Sequence, residues 1–336
     1  MAIECSVVIP LYNKQAEIRR CLESVLAQTM QDFEVIVVND GSQDGGATLV
    51  EQFCESDRRI RLYNQSNQGV AAARNMGVSL AQGQCVAFLD ADDEWLPEHL
   101  ALLCLMRSKN PQAGVWLTAY WVDRGGGWRR RIRIPRRLLS RESALIADYF
   151  GLPQGKFLPS GSMMRKDELQ VAGGYRKMFG EDVDVWMRMA ARHPVAYCPV
   201  PTAVWHVDAG NRRCVQQGQS ANLYNPGSLG ASLVQILSDF TISSEVKKRA
   251  ADYVAKRERK AIVATLLAGH RAHALYLYGL WRAQFRRRSL MIESVLGIPA
   301  AMVCLVGGAR RQMRSICSLA AYIWDLPVSF VTFQNR

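Results

Sequence analysis

The chain has 336 residues, an apolar content of 49% and a formal net charge of +12. The length indicates about two domains, and the apolar content is that of an ordinary globular protein. Its nine cysteines are scattered without Cys-x-x-Cys spacing, which argues against a disulfide framework or a zinc site and favours a reducing compartment. The first residues lead straight into a strand without a basic start, so no signal peptide is predicted.

Residues 1–110 alternate strand and helix patterns. Short apolar runs predict strands, and apolar residues on one face predict helices between them. The strands are expected at 6–9, 33–38, 60–63 and 86–89, and the helices at 18–26, 49–54 and 69–80. This order predicts an α/β fold in which a mostly parallel sheet is flanked by helices on both faces.

The middle of the chain, residues 111–225, has a different pattern. Strands are expected at 115–122 and 161–165, a hairpin turn at the three glycines 125–127, and a helix at 182–192. Pro199, Pro201 and Trp205 are expected to end this segment. The basic run 129–137 fits a solvated strand, a site for a substrate phosphate or a membrane-surface patch. No nucleic-acid-binding fold accompanies the run, so a nucleic-acid partner is not expected.

The last part, residues 226–336, is expected to be a basic helical extension. Residues 241–336 contain 16 Lys and Arg against 5 Asp and Glu, which is +11 of the total charge. Such an imbalance predicts an anionic partner. The apolar stretch 290–308 is about long enough to span a bilayer, although a helix lying in the interface and a buried helix are also compatible with it. Its flanking arginines would suit anionic lipid or a lipid diphosphate.

Polar side chains follow each of the first four predicted strands. In a parallel sheet, ligands bind beyond the carboxyl ends of the strands. After the fourth strand stand Asp90, Asp92, Asp93 and Glu94, which would repel one another unless a cation compensates their charge. Oxygen ligands of this type suit Mg²⁺ or Mn²⁺ shared with substrate phosphates. The alternative is a solvated acidic turn before a helix.

These strand ends offer what a nucleoside diphosphate needs. Pro10, Tyr12 and Asn13 could line a pocket for the base, and Asp40 could accept hydrogen bonds from the nucleoside. Gly69 lets the backbone approach a ligand, and Arg74 could pair with a phosphate or with a carboxylate of the site. Both the dinucleotide-binding Gly-x-Gly-x-x-Gly motif and the phosphate-loop lysine motif are missing, which argues against a dehydrogenase and an ATPase.

Four ordered motifs carry a family resemblance. They are Ile9-Pro-Leu-Tyr-Asn13, Val38-Asn-Asp-Gly-Ser-Gln-Asp44, Asn67-Gln-Gly-Val-Ala-Ala-Ala-Arg-Asn75 and Phe88-Leu-Asp-Ala-Asp-Asp93. Together they resemble the family 2 glycosyltransferases, which have a GT-A fold, over roughly residues 3–210. The resemblance implies inverting transfer from a nucleotide-diphosphate sugar, usually with Mg²⁺ or Mn²⁺, and the first half of the catalytic domain (1–110) would bind the donor while the second (111–225) binds the acceptor.

The resemblance also implies roles for single residues. Pro10, Tyr12, Asn13, Asp40 and Ser42 would contact the base and ribose. Gly69 and Arg74 would form the wall of the nucleotide site. Asp90 and Asp92 match the metal motif, with Asp92 the direct ligand. The acidic motif after Phe179 assigns the general base to Asp182, with Glu181 beside it. His206 matches a late metal-contacting histidine loosely, and Gly161 and Ser162 are expected to shape the acceptor pocket.

Each assignment has a plainer interpretation. Asp182 could simply cap the helix that follows it, Asp40 could belong to a turn, and His206 could be a structural histidine. We expect a cytoplasmic glycosyltransferase of surface-polysaccharide synthesis that lies peripherally on the membrane and acts on a glycan or lipid-linked acceptor, with a UDP-sugar as the favoured donor. An inactive nucleotide-sugar-binding subunit and a sugar nucleotidyltransferase are the alternatives, and homo-oligomer formation is left open.

Overall fold

The structure is a computed structural model that describes residues 3–125, 129–132, 145–151, 157–178, 180–208 and 229–267. The chain divides into two compact units, residues 1–269 and 270–336. The predicted boundary at residue 226 therefore falls within the first unit. The apolar stretch 290–308 lies outside the described residues. Within them, no helix is both long enough and apolar enough to cross a membrane.

The first half of the unit is built as the sequence predicts. Its strands are β1 (Cys5–Leu11), β2 (Phe33–Asp40), β3 (Ile60–Gln65) and β4 (Cys85–Phe88), and its helices are α1 (Ile18–Leu26), α2 (Gly46–Ser56) and α3 (Val70–Leu80). The strands pair in parallel in the order β3-β2-β1-β4. Every residue of β2 is buried, as expected of a strand covered by helices on both faces.

The second half extends the same sheet with mixed directions. Its elements are β5 (Glu94–Trp95), α4 (His99–Lys109), β6 (Val115–Asp123), β7 (Arg129–Arg131), β8 (Leu145–Ala147), β9 (Ser162–Arg165), α5 (Lys166–Val171), α6 (Glu181–Arg192) and β10 (Val195–His206). The sheet continues from β4 through β9, β6 and β10 to β5, with β7 on β6 and β8 on β10. Because β9 lies antiparallel between β4 and β6, the sheet is parallel mainly in its first half.

One expectation in this half was wrong. Pro199 and Pro201 do not end the segment, because both lie inside the twelve-residue strand β10. The pairing of β10 with β6 shifts register between Cys198 and Pro201. A register shift interrupts the ladder of hydrogen bonds, so the missing N–H of proline is tolerated there.

Two helices complete the described part of the chain. They are α7 (Gly230–Ser238) and α8 (Ser244–Leu267), and α8 confirms the helix expected in this region. Both helices pack against α6, and α8 also packs against the short 3₁₀ helix Tyr149–Gly151. The core of the unit lies between the sheet and the helices on its faces, with Trp116 and Trp186 among its largest fully buried side chains.

Candidate functional site

The loops that follow β1 and β2 are tied together at the carboxyl ends of these strands. The Asn13 N–H donates to the Ser42 hydroxyl over 3.1 Å, and the Gln43 N–H donates to the Asn13 side-chain oxygen over 2.7 Å. Asn13 has a φ of 52°, in the left-handed region that asparagine tolerates better than most residues. Tyr12 is 39% exposed, so its ring and the partly buried Pro10 border an accessible surface.

Asp40 organises the loop between β3 and α3. Its two carboxylate oxygens accept hydrogen bonds of 2.8 Å from the N–H groups of Gln68 and Gly69, and the Gln65 amide donates to it over 2.7 Å. An ionised carboxylate has about four acceptor positions, so three are in use. Gly69 has a φ of +94° and nothing lies within 4 Å of the place a Cβ would occupy. Conformation, rather than lack of space, therefore favours glycine there.

A buried serine, Ser160, holds the acidic loop after β4 in place. The Ser160 hydroxyl donates to a carboxylate oxygen of Asp93 over 2.6 Å and accepts the N–H of Asp90 over 3.2 Å. Asp93 is buried, whereas the Asp90 side chain is 29% exposed. The three aspartates thus differ in role: Asp93 anchors the loop, and Asp90 faces the accessible side.

Two basic side chains contact Asp92, one at its carboxylate and one at its backbone carbonyl. The Lys14 ammonium lies 2.9 Å from its Oδ2, and both side chains are about nine-tenths buried. The Arg20 guanidinium donates to the backbone carbonyl of Asp92 over 2.9 Å. The loop after β1 is thereby linked to the loop after β4.

Arg74 joins the first half of the sheet to α6. It is buried on α3, and its guanidinium bonds to Asp90 over 2.8 Å and to Glu181 over 3.2 Å. It also lies over the ring of Tyr175, 5.1 Å from the centroid. The Arg74 side chain therefore places the acidic loop beside the beginning of α6.

Asp182 stands in the first turn of α6, which begins after Gly180 in the left-handed conformation (φ 78°). Its side chain is partly buried, and one carboxylate oxygen accepts the N–H of Val183 over 2.8 Å. Burial, together with the charge of Glu181, raises the pKa of Asp182 to about 6, against the opposing charges of Arg74 and Arg257. A carboxylate with this pKa is mostly ionised at neutral pH and is a competent general base.

His206 lies at the end of β10, beside Glu94 and Asp123 rather than among the aspartates of the loop. Its Nε2 is 3.5 Å from Glu94, and its Nδ1 is 3.8 Å from Asp123. Arg129 contacts both of these carboxylates. Hydrogen bonding with His206 and the charge of Arg129 hold the pKa of Glu94 below its ordinary value despite its burial. The basic run thus begins with an arginine engaged in ion pairs.

Gly161 and Ser162 are both buried at the start of β9. The Ser162 hydroxyl donates to the carbonyl of Pro159 over 2.7 Å, and the Thr118 hydroxyl donates to the carbonyl of Gly161 over 3.5 Å. In this segment Ser160 is the residue that reaches the acidic loop. The segment 160–162 thus supports the acidic loop through Ser160.

The carboxylate oxygens of the acidic loop suit a hard divalent cation, but they do not form a complete set of metal ligands. Among the described residues, no group of three or more His, Cys, Asp or Glu side chains is arranged to hold a metal ion. Asp90 and Asp92 offer carboxylate oxygens of the right chemistry, each already facing a cationic side chain. Mg²⁺ is commonly held by one or two carboxylates together with substrate phosphates, and these two residues fit that arrangement.

The structure thus gathers most of the predicted residues along one edge of the sheet and adds others. Lys14, Arg20 and Ser160 contact the acidic loop, although no sequence motif marks them. Lys14 directly follows Asn13, which is the one available signal. The motif after Phe179 is described from Gly180 onward, since Phe179 itself lies outside the described residues.

Comparisons with known proteins bear on this arrangement. Residues 6–171 match the family described as "Glycosyl transferase family 2". The chain is 38% identical over 122 residues to the uncharacterized glycosyltransferase YibD of Escherichia coli, covering 36% of each chain. It is 42% identical over 94 residues to the putative glycosyltransferase EpsH of Bacillus subtilis, covering 28% of this chain and 27% of EpsH. The matched region thus spans about a third of these relatives or less.

Solved structures share the fold. The S. aureus TarS 1–349 complex with UDP-GlcNAc matches 84% of this chain and 92% of its own, with a TM-score of 0.57 and 16% identity. The mannosyltransferase PcManGT of Pyrobaculum calidifontis, in complex with GDP-Man and Mn²⁺, matches 98% of this chain and 83% of its own, with a TM-score of 0.56 and 16% identity. The expected GT-A fold is confirmed. Over residues 6–171, the chain belongs to glycosyl transferase family 2.

Proposed function

We propose that this protein transfers a sugar, with inversion, from a nucleotide-diphosphate sugar to a hydroxyl group of a glycan or lipid-linked acceptor. One observation carries the proposal: Arg74 bonds at once to Asp90 and to Glu181. It brings the carboxylates suited to a diphosphate-bound cation next to Asp182, the one suited to proton removal. The buried Arg74 would thus connect the residues that activate the donor with the residue that activates the acceptor.

In the proposed reaction the acceptor oxygen attacks the anomeric carbon on the face opposite the diphosphate. A new carbon–oxygen bond forms as the bond between that carbon and the diphosphate oxygen breaks, and the hydroxyl proton passes to the Asp182 carboxylate. A hydroxyl is a poor nucleophile, so a base whose pKa lies near the working pH helps most. The pKa of about 6 at Asp182 supports this role. The attack inverts the configuration without a covalent enzyme intermediate.

Asp90 and Asp92 would hold the divalent cation, Mn²⁺ or Mg²⁺, with donor phosphates completing its coordination. When bound, the cation would offset the charge that grows on the departing diphosphate. Lys14 and Arg74 place two further positive charges beside the same carboxylates. PcManGT was solved with GDP-Man and Mn²⁺, which supports the assignment by analogy of fold.

The nucleotide would lie across the ends of β1, β2 and β3. Tyr12 and Pro10 would face the base, Asn13, Ser42 and Asp40 the base and ribose, and Gly69 the phosphates. We favour a UDP-sugar, since TarS binds UDP-GlcNAc on the same fold. His206 would adjust the acidic surroundings through Glu94, and direct contact with the cation would require it to leave that partner.

A panel of donors tests the proposal. Purified protein is mixed with UDP-GlcNAc, UDP-glucose, UDP-galactose or GDP-mannose, with and without Mn²⁺, and both the melting temperature and the release of nucleotide are measured. A ligand that binds only the folded state raises the melting temperature. We expect one donor to stabilise the protein in a Mn²⁺-dependent manner and to release its nucleotide as its sugar passes to an added glycan acceptor or, more slowly, to water. The absence of binding by every donor would contradict the proposal.

The same panel separates the two alternatives. An inactive nucleotide-sugar-binding subunit would be stabilised by a donor yet release no nucleotide with any acceptor. A sugar nucleotidyltransferase would form a nucleotide sugar from a nucleoside triphosphate and a sugar phosphate, with release of pyrophosphate. The pairing of Arg74 with Glu181 beside Asp182 favours transfer to a hydroxyl over both.

We also propose that the protein lies on the cytoplasmic face of a membrane as a peripheral protein. The +11 charge of residues 241–336 would attract anionic lipid. Apolar side chains on and after α7 would add hydrophobic contact, since Val234 is 65%, Leu237 45% and Phe240 100% exposed. A role in surface-polysaccharide synthesis, with a lipid-linked acceptor, would follow from this location.

Sedimentation with vesicles tests the membrane proposal. The protein should pellet with vesicles that contain anionic phosphatidylglycerol at low salt, and much less with neutral vesicles or at 0.5 M salt, because salt screens surface charge. At low salt, Phe240→Ser should bind the anionic vesicles more weakly than the wild type does. Equal recovery in the supernatant under all conditions would contradict the proposal, and light scattering of the same preparation would report any homo-oligomer.

A further inference from the structure

The helices that follow the family-matched residues contact the helix of the proposed general base. The Ser232 hydroxyl of α7 donates to Asp184 of α6. Asp184 is fully buried and accepts a 2.6 Å hydrogen bond from Arg188, and Arg176 donates to the same Ser232 hydroxyl over 2.6 Å. A buried, hydrogen-bonded charge network of this kind fixes the relative positions of the elements it joins. α7 is therefore anchored two residues beyond Asp182.

α8 reaches the beginning of α6 itself. The Tyr253 hydroxyl lies 3.3 Å from the Tyr149 hydroxyl, with ring centroids 5.5 Å apart. One turn later, the Nη2 nitrogen of Arg257 lies 3.8 Å from the position that a Cβ on Gly180 would occupy. Tyr253 also hydrogen-bonds Arg257. The arginine is thus held on α8 beside Gly180, which directly precedes the first turn of α6.

Within the described part of the chain, the charged and titratable groups around Asp182 come from five elements or loops. They are Glu181 on its own helix, Arg74 on α3, Arg257 and Tyr253 on α8, Tyr149 on the 3₁₀ helix and Tyr175 before α6. Burial and the charge of Glu181 raise the pKa of Asp182, and the two arginines oppose that rise. Arg74 also bonds to two other carboxylates. Arg257 is the arginine of α8 whose charge acts on Asp182.

We propose that Arg257 is a positioning residue for the general base, so that α8 completes an active site most of which lies in residues 6–171. Its guanidinium favours the ionised carboxylate of Asp182 and holds the start of α6 in place. Arg257 takes no part in bond making or breaking. The inference rests on the proposed function, because it assumes that Asp182 accepts the acceptor proton.

The pH dependence of transfer follows from this role. A base must be ionised to act, so kcat/KM rises with pH through the pKa of Asp182. Removing a nearby positive charge disfavours the ionised carboxylate and moves that pKa upward. Arg257→Met should therefore shift the acidic limb of the profile to higher pH by about 0.5–1 unit. The loss of kcat/KM should be about two- to fivefold at pH 6 and should nearly vanish at pH 8.5.

The experiment compares full-length variants over pH 5–9 with the active donor and acceptor. Arg257→Lys retains the charge and should restore most of the wild-type profile. Lys256→Met is the matched control, since Lys256 is the exposed neighbour on α8 and its loss changes the net charge equally. A merely structural role for Arg257 would lower activity evenly at all pH values. Tyr253→Phe keeps the ring but removes the hydroxyl that bonds Arg257, so it should give a smaller shift in the same direction.

The outcomes are distinct. An upward shift in Arg257→Met, reversed in Arg257→Lys and absent in Lys256→Met, supports the inference. If Arg257→Met does not fold, the shift in Tyr253→Phe decides, and no shift there overturns the inference. An active wild type whose acidic limb is the same in Arg257→Met also overturns it while leaving the proposed function intact. An inactive wild type that binds no nucleotide overturns both.

Discussion

The Lys14 ammonium lies 2.9 Å from the Asp92 carboxylate, and both side chains are almost fully buried. Lys14 follows β1 and Asp92 follows β4, and these two strands are direct neighbours in the sheet. The aspartate expected to bind the cation is therefore neutralised by the protein itself. A divalent cation that uses this carboxylate must compete with the lysine.

This competition predicts that Lys14→Met tightens the binding of Mn²⁺. Removing a positive charge from beside the carboxylate should increase affinity by about three- to tenfold at low salt, by the scale of a single screened charge interaction. Calorimetric titration of Mn²⁺ in the absence of nucleotide measures the effect. Lys248→Met, at an exposed position of α8, controls for net charge. Equal Mn²⁺ affinity in wild type and Lys14→Met would show that the cation does not use Asp92.

Arg74 is predicted to support the stability of the unit as well as its chemistry. Its replacement by methionine leaves Asp90 and Glu181 without their shared buried cation. Breaking a buried ion pair by removing one partner costs about 3–5 kcal/mol, and the partial exposure of Asp90 places the expected loss toward the lower value. Urea denaturation measures the free energy of unfolding. Arg74→Lys should lose less free energy of unfolding than Arg74→Met, because lysine keeps the charge but not the bidentate geometry. Equal stability of the wild type and both variants would contradict the assignment.

At neutral pH, the Asp182 carboxylate should lower the free energy of unfolding. Its pKa is raised to about 6 from 3.8, so the folded state binds the proton more tightly than the unfolded state does. The free energy of unfolding then decreases as pH rises from about 4 to 6, and the loss persists above 6. Asp182→Asn should therefore be more stable than wild type by about 1–3 kcal/mol at pH 8, with the gain shrinking at pH 4. Thermal denaturation at both pH values measures this, and a variant less stable at pH 8 would contradict it.

His99 predicts a pH dependence of the opposite sign. It is fully buried, stacks on Trp95 at 4.4 Å and hydrogen-bonds Thr202 over 2.7 Å. Burial lowers the pKa of His99 to about 3 from 6.5. Between these two pH values the unfolded state therefore carries a proton on His99 that the folded state does not. Stability should fall by up to about 1.4 kcal/mol per pH unit as pH drops below 6.5. His99→Gln should show a shallower decline between pH 6.5 and 4.5, and an unchanged slope would contradict the assignment.

The sequence was sufficient to predict the first half of the fold. Strands β1, β2 and β4 are largely apolar and buried, and α1 is strongly one-sided, so local pattern and burial agree. The second half contains features that local pattern does not encode. β9 enters the sheet antiparallel between β4 and β6, and β10 runs through two prolines. Both depend on pairing between residues that are far apart in the chain.

The same limit applies to the site. The motifs identify Asp90, Asp92 and Asp182 because these residues stand next to predicted element ends. Lys14, Ser160 and Arg257 reach the same region only after folding, from 67 or more residues away from the groups they serve. Their side-chain types are common on protein surfaces, so nothing in the chain alone distinguishes them. Arg257 in particular lies in a region whose composition predicts only a basic helical extension.

The most direct test of the central claim compares wild type and Asp182→Asn in nucleotide binding and sugar transfer with the same donor at pH 7.5. Asparagine keeps the size of the side chain but cannot accept the hydroxyl proton. The account predicts that the Kd for UDP changes less than about threefold, while kcat falls by at least about 100-fold, the lower end of what a general base contributes. Unchanged transfer by Asp182→Asn, with UDP bound as in wild type, would contradict the account.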